Sequence, residues 1–188
     1  MGIYQKIREA WKKPKQNMRE LWKTRLIHWR RGPATVKLEK PTRLDKARSL
    51  GYKAKQGVFV VRQRVLRGGH FREKFRSGRK PRRYGTRKDL SISYQVIAEQ
   101  RAHKKFPNCE VLNSYWTAED GRFKWYEVIM VDTAHPSVKA DKNLRWISGK
   151  QHRGRAMRGL TSAARKSRGM RRKGKGTEKL RPSKKAHY

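Results

Sequence analysis

The stretch VLNSYWTAEDGRFKWYEVIMV, residues 111–131, decides the fold. Val111 to Trp116 and Phe123 to Val131 are strand-like runs, and Glu119-Asp120-Gly121 stands between them. That trio signals a hairpin, because glycine admits a positive φ that other residues resist. From Tyr126 onward the second run is apolar on both faces, the pattern of a central strand covered by helices. Working outward, Tyr94, Ile97, Ala98 and Ala102 describe a helix just before the hairpin. Further upstream, Val58 to Leu66 is β-branched and alternating. It sets Phe59, Val61 and Val65 on one face and Val58, Val60, Arg62 and Arg64 on the other. A strand, a helix and a hairpin in that order predict an α+β fold, a small and mostly antiparallel sheet packed with helices.

The amino-terminal third reads as helical. Ile3, Ile7 and Trp11 recur every four residues, and Met18, Leu21, Trp22 and Trp29 continue at helical spacing beyond Pro14. Two short amphipathic helices are expected, the second stopped by Gly32-Pro33. Thr42 and Asp45 stand three apart ahead of Ala47 and Leu50, so their side chains can cap a helix start, with Gly51 suited to its end.

Charge is abundant and uneven. The chain carries 52 Lys plus Arg against 14 Asp plus Glu, a formal charge of +38. By segment the net charge is +8 for residues 1–39, +15 for 40–89, +1 for 90–147 and +14 for 148–188. A near-neutral centre flanked by cationic segments suits a protein that folds by burying apolar surface in one part and orders the rest on a polyanion. The expected organisation is a globular α+β domain over 1–147, with a basic loop at 67–88, followed by a basic C-terminal extension at 148–188. Neither 67–88 nor 148–188 shows a sustained apolar period. Ordering such chain costs roughly 1–2 kcal/mol per residue, so both are expected to be long basic extensions that order only on a partner.

Nucleic acid is the first-choice partner. Each Lys or Arg that meets a phosphate releases a condensed counterion, which gives salt-sensitive affinity. A membrane surface is the rival, yet polybasic membrane binders add an apolar helix face or a lipid anchor, and neither is evident. No apolar run exceeds four residues, against the roughly 20 a transmembrane span needs. Lys and Arg interrupt the first thirty residues where a secretory signal needs an apolar centre, and Lys6 stands where a myristoylation signal needs Ser or Thr. The single cysteine, Cys109, makes neither an internal disulfide nor a zinc cluster, which points to a reducing, cytoplasmic setting. No metal or other cofactor is expected. Asp132, His135 and Glu127, with His70 or His152, are the only candidates for acid/base chemistry. Strand alternation sets Glu127 and Asp132 on opposite faces, however, and Asp-Thr-Ala-His-Pro reads as a strand ending in a turn. Gly169 to Lys175 has the spacing of a phosphate-cradling loop, but Gly176 replaces its magnesium-binding hydroxyl and no strand precedes it.

Two runs concentrate the cations. After Arg67-Gly68-Gly69-His70 the first run includes Arg79, Lys80, Arg82, Arg83, Arg87 and Lys88, interleaved with Phe71, Phe75 and Tyr84. Glycine lets backbone approach phosphate, guanidinium binds phosphate in a bidentate fork, and exposed rings stack on unpaired bases. The second run holds Arg153, Arg155, Arg158, Arg165, Lys166, Arg168, Arg171, Arg172 and Lys173, and Ala163-Ala164 permits one short helix within it. Arg62 and Arg64, on the cationic face of the 58–66 strand, join the candidate RNA contacts.

Three stretches carry a resemblance: PTRLDKARSLGYKAKQG at 41–57, VLNSYW at 111–116 and RGLTSAARKSRG at 158–169. Together they resemble the archaeal and eukaryotic ribosomal protein family L fifteen e. The resemblance implies an α+β domain on the large ribosomal subunit with basic segments reaching into its RNA, and no enzymatic activity. Carried over by position, Arg43, Lys46, Arg48, Lys53, Lys55, Arg158, Arg165, Lys166 and Arg168 are the expected RNA contacts. Asn113, Ser114, Tyr115 and Trp116 fit sheet core or a local hydrogen-bonded feature. At 67–88 and beyond Gly169, composition alone supports contact. The implied partners are large-subunit, 23S-type rRNA and neighbouring large-subunit proteins, the kink-turn-binding one among the candidates. No homo-oligomer is expected. The competing readings are a DNA-compacting architectural protein, which would need wedges or arms for the minor groove, and an RNA-processing nuclease, which would need an acid/base set in a cleft.

Overall fold

The computed structural model describes residues 2–69, 77, 78, 80 and 90–171. Four strands form one antiparallel sheet: β1 (Thr35–Leu38), β2 (Val58–Leu66), β3 (Cys109–Glu119) and β4 (Phe123–Asp132), in the order β1-β2-β4-β3. The apolar strand β4 is central, as its two-sided pattern requires. Around the sheet lie α1 (Ile3–Ala10), α2 (Pro14–Asn17), α3 (Arg19–Arg31), α4 (Leu44–Ser49), α5 (Tyr94–Lys105), α6 (Pro136–Ala140) and α7 (Ser162–Ser167). Two 3-10 turns, Arg145–Ser148 and Lys150–His152, connect the last two helices. This is the expected α+β arrangement of a small antiparallel sheet and helices.

The alternation in β2 becomes a division of the core. Val61 and Val65 pack with Val128, Met130 and Val111 beneath Ala98 and Ala102 of α5. On the opposite face Val58, Val60, Ile129 and Val131 pack with Ala47 of α4, Val138 of α6, Leu144 and Ile147. A third cluster at the hairpin end joins Trp11, Trp22, Leu26 and Trp29 to Trp125 and Ala118. Its rings meet at 6.0 Å (Trp11–Trp22), 5.9 Å (Trp22–Trp116) and 6.1 Å (Trp29–Trp125), separations at which an aromatic pair adds about 0.5–1.5 kcal/mol beyond area burial. The amino-terminal helices are thus fastened to the sheet through indoles.

Several local expectations resolve differently in detail. The hairpin turn does not use a positive φ at Gly121. Asp120 closes it instead, its Oδ1 accepting the N–H groups of Arg122 (2.7 Å) and Phe123 (2.6 Å). Thr42 does not cap α4, whose N-cap is Arg43 without a side-chain bond. The Thr42 N–H is donated to Glu127 Oε2 at 3.1 Å, because a buried carboxylate competes for it. Gly51 does end α4, at φ +100°. On α3 the buried side chains are Trp22, Leu26 and Trp29, while Leu21 is exposed.

Packing does not stop at residue 147. Ala156 is fully buried in the cluster under α5, and Thr161 and Ala164 are buried beside it. Glu110 accepts the N–H groups of Gly154 (2.6 Å) and Arg155 (3.3 Å), and Thr161 donates its hydroxyl to Glu99 at 2.5 Å. Small buried side chains and two buried carboxylates therefore bind residues 149–171 to the sheet, without any long apolar period to announce it. Of the long extensions expected at 67–88 and 148–188, most of the first and residues 172–188 of the second fall outside the described residues.

Candidate nucleic-acid interface

The sequence of β3 builds a groove along the sheet's edge. Bulges between Val111 and Asn113 and between Trp116 and Ala118 change which face each side chain meets. Ser114 consequently donates to Glu99 on the α5 side, while Tyr115 donates to Glu127 at 2.5 Å on the other. These bonds fix the edge strand between α4 and α7, both of which pack against it. Between the two helices lies a cleft of about 300 Å³ lined by Arg43, Lys46 and Leu50, by Asn113 to Trp116, by Ser162, Ala163 and Lys166, and by Gln95 and Arg171. All three motif stretches meet there, though more than forty residues of chain separate each from the next.

The candidate cations divide by what holds them. Lys46 of α4, Arg165 and Lys166 of α7, and Arg153 are exposed, and their side chains make no hydrogen bond, ion pair or ring contact with the described residues. Others are exposed but steered by neutral groups that leave their charge intact. Arg158 donates to the carbonyls of Arg153 and Gln151, Arg168 to that of Gly159, Arg67 to that of Asp120, and Arg171 to the Ser162 hydroxyl. Arg48 lies over the Tyr4 ring. Lys80 is exposed.

A further group is engaged within the protein. Arg62 lies 4.3 Å over Trp29, and Arg64 lies 4.7 Å over Phe123 while donating to the carbonyls of Trp29 and Arg30 at the end of α3. The cationic face of β2 is thus covered by the amino-terminal helices. Arg43 stacks 4.7 Å over Trp11 near Asp45. Arg155 is buried beneath the Trp146 ring. Lys53 and Lys55 share Asp141 at 3.2 and 3.0 Å. The Asn143 N–H and Lys55 together push that carboxyl down to about 2, so the cluster is ionised at any physiological pH. Arg79, Arg82, Arg83, Arg87, Lys88, Arg172 and Lys173 lie outside the described residues.

The acid/base candidates Glu127, Asp132 and His135 are occupied by structure, and His70 lies outside the described residues. Glu127 is fully buried, faces Arg62 across the β2–β4 ladder and accepts from Thr42 and Tyr115. Burial pushes its carboxyl up, and with it the Tyr115 phenol. Asp132 accepts from the Ala134 N–H, and His135 caps α6 by accepting from Ser137 at 3.2 Å. Gln95, whose amide donates to Ser114 in the groove, was not singled out by sequence. Its only signal was a polar side chain one residue after Tyr94 in an otherwise apolar helix start.

A model of the ribosomal L15e family, described as Ribosomal L15, matches residues 2–187. The large ribosomal subunit protein eL15 of Methanocella arvoryzae is 56% identical over 188 residues, covering 99% of this chain and 96% of that protein. The protein of the same name from Methanospirillum hungatei is 54% identical over 188 residues, with the same coverage of 99% and 96%. With a family match that spans the sheet, the indole cluster and the segments that form the groove, the chain belongs to the ribosomal L15e family.

Proposed function

We propose that this protein is a structural constituent of the large ribosomal subunit, in the cytoplasm, where it binds and stabilises folded large-subunit rRNA. The observation that carries the reading is the groove: segments distant in sequence meet beside Lys46, Arg165 and Lys166, three cations without side-chain partners among the described residues. Cations free of carboxylates can screen phosphates that repel one another where RNA helices converge, and contacts of this kind read shape more than sequence. Arg158, Arg168 and Arg171, held by neutral acceptors, present preset forks for the same purpose. In this reading the role is structural, and Glu127, Asp132 and His135 serve the fold through buried or turn-closing bonds. Neighbouring large-subunit proteins, the kink-turn-binding one among them, are the secondary partners in this reading.

Sedimentation of native lysate in high magnesium tests it. The protein should travel with large subunits; recovery on the nucleoid or in the free supernatant would overturn the proposal. A Lys46→Gln, Arg165→Gln, Lys166→Gln variant should fold normally but incorporate poorly, whereas Asp132→Asn with His135→Ala should incorporate as the parent does.

A further inference from the structure

One aromatic side chain stands apart. Among the large apolar side chains exposed in the described residues, which include Ile3, Leu66 and Met157, only Trp146 is aromatic, at 40% exposure. It sits in the 3-10 turn Arg145–Ser148, at the end of the near-neutral part of the sequence and shortly before the second basic run opens at Arg153. The ring is held from three sides. Its Nε1–H donates to the Asn143 carbonyl at 2.9 Å, the His152 ring meets it edge to face at 4.8 Å, and the buried Arg155 guanidinium lies 5.0 Å from its centroid. Arg155 is only 8% exposed, so it occupies the inner side of the indole and leaves the outer side to solvent. That outer side lines a shallow hollow of about 460 Å³ with Lys139, Arg145, Ser148, Gly149 and Gln151.

We propose that Trp146 is a stacking platform for one unpaired RNA base, with Lys139 and Arg145 receiving the phosphates on either side of it. The charge of the rim selects the occupant: among the described residues two cations and an amide line the hollow, and no carboxylate does. A protein side chain could also cover an indole, but a cationic rim without acids favours a polyanion. The ring is already immobilised, so little conformational freedom is lost when a base settles on it. Stacking on an aromatic side chain tolerates any base, because each has a π-face, but it requires the base to be out of a duplex. Burial and the nearby Arg155 push the His152 imidazole down, which keeps the ring beside the indole neutral and the edge contact intact. Arg155, a candidate phosphate ligand by sequence, becomes here the support beneath the platform.

The inference rests on the RNA-binding reading above, and its test separates the two. Full-length protein is titrated, at one salt concentration, with three labelled RNAs of about eight residues, within the site size of a stacking groove. One is oligoadenylate, one an abasic strand of equal charge, and one an A-form duplex. The expected result is about tenfold tighter binding of oligoadenylate than of the abasic strand. Trp146→Ala should erase that preference, Trp146→Phe should keep most of it, and Lys139→Gln with Arg145→Gln should weaken both strands alike. Equal affinity of the parent protein for the first two strands, or an undiminished preference in Trp146→Ala, would overturn the platform while leaving RNA binding intact. Failure to bind any of the three would overturn both. In assembled subunits, a photoreactive benzophenone side chain at Gln151 should attach to rRNA; attachment to protein alone would sink the inference.

Discussion

Glu99 shows how much rests on one side chain. It is fully buried, accepts the hydroxyls of Ser114 and Thr161, and joins helix α5, edge strand β3 and the segment that carries α7. Burial pushes its carboxyl above the ordinary value of 4.5. The native state therefore keeps this proton over a pH window in which the unfolded chain has released it. Stability from this group is fully present below about 4.5 and is lost as pH rises through the elevated native value. Glu99→Gln, which retains an acceptor and never ionises, should flatten the fall in melting temperature over that window. Glu99→Ala should cost about 1–3 kcal/mol at any pH, because it strands two buried hydroxyls. Thermal melts of the two variants from about pH 4 to about pH 8 check both outcomes. Nothing in the order of residues announces this bond. Its partners lie 62 residues apart, and periodicity registers only neighbours. The tetrad Asn113 to Trp116, by contrast, was legible as sheet core or a local hydrogen-bonded feature, since two polar and two aromatic side chains follow one another inside a strand-like run.

Among the elements, strands were easier to read than their coverings. Strand β2 runs over Val58–Leu66, the span its alternation predicts, and the hairpin strands extend only a little beyond their apolar runs. What the pattern could not say was which surface would lie over Arg62 and Arg64. A guanidinium is as ready to stack on an indole as to meet a phosphate, and α3 supplies the indole. The two groups of basic side chains therefore predict different behaviour. Arg165→Gln with Lys166→Gln on α7 should leave the melting temperature unchanged and lower the salt dependence of RNA binding by about one unit of log–log slope per charge. Arg62→Gln with Arg64→Gln should lower the melting temperature and leave that slope unchanged. Parallel melts and salt titrations distinguish them. Ala163-Ala164 did mark the short helix α7, but its docking escaped sequence reading for a related reason: Ala156, Thr161 and Ala164 bury little area each and follow no fixed period.

Taken as one molecule, the chain combines a conventional core with a charge of +38. Self-repulsion of that size works against compactness, so the folded part needs firm interior contacts. The indole cluster provides them: Trp125 is 1% exposed and meets both Trp29 and Phe123. Trp125→Ala should cost about 3–5 kcal/mol, read as a loss of thermal stability with detachment of the amino-terminal helices. Charge asymmetry told from sequence that one part would fold like an ordinary domain. It could not place the boundary, because the residues that extend that domain past 147 are cationic and small. The docking of Thr161 onto Glu99 also sets a timetable. A polypeptide made from its amino end has α5 and the sheet in hand before the residues that close the Glu99 pocket emerge. A chain interrupted before Thr161 would therefore be left with an open seam that invites degradation.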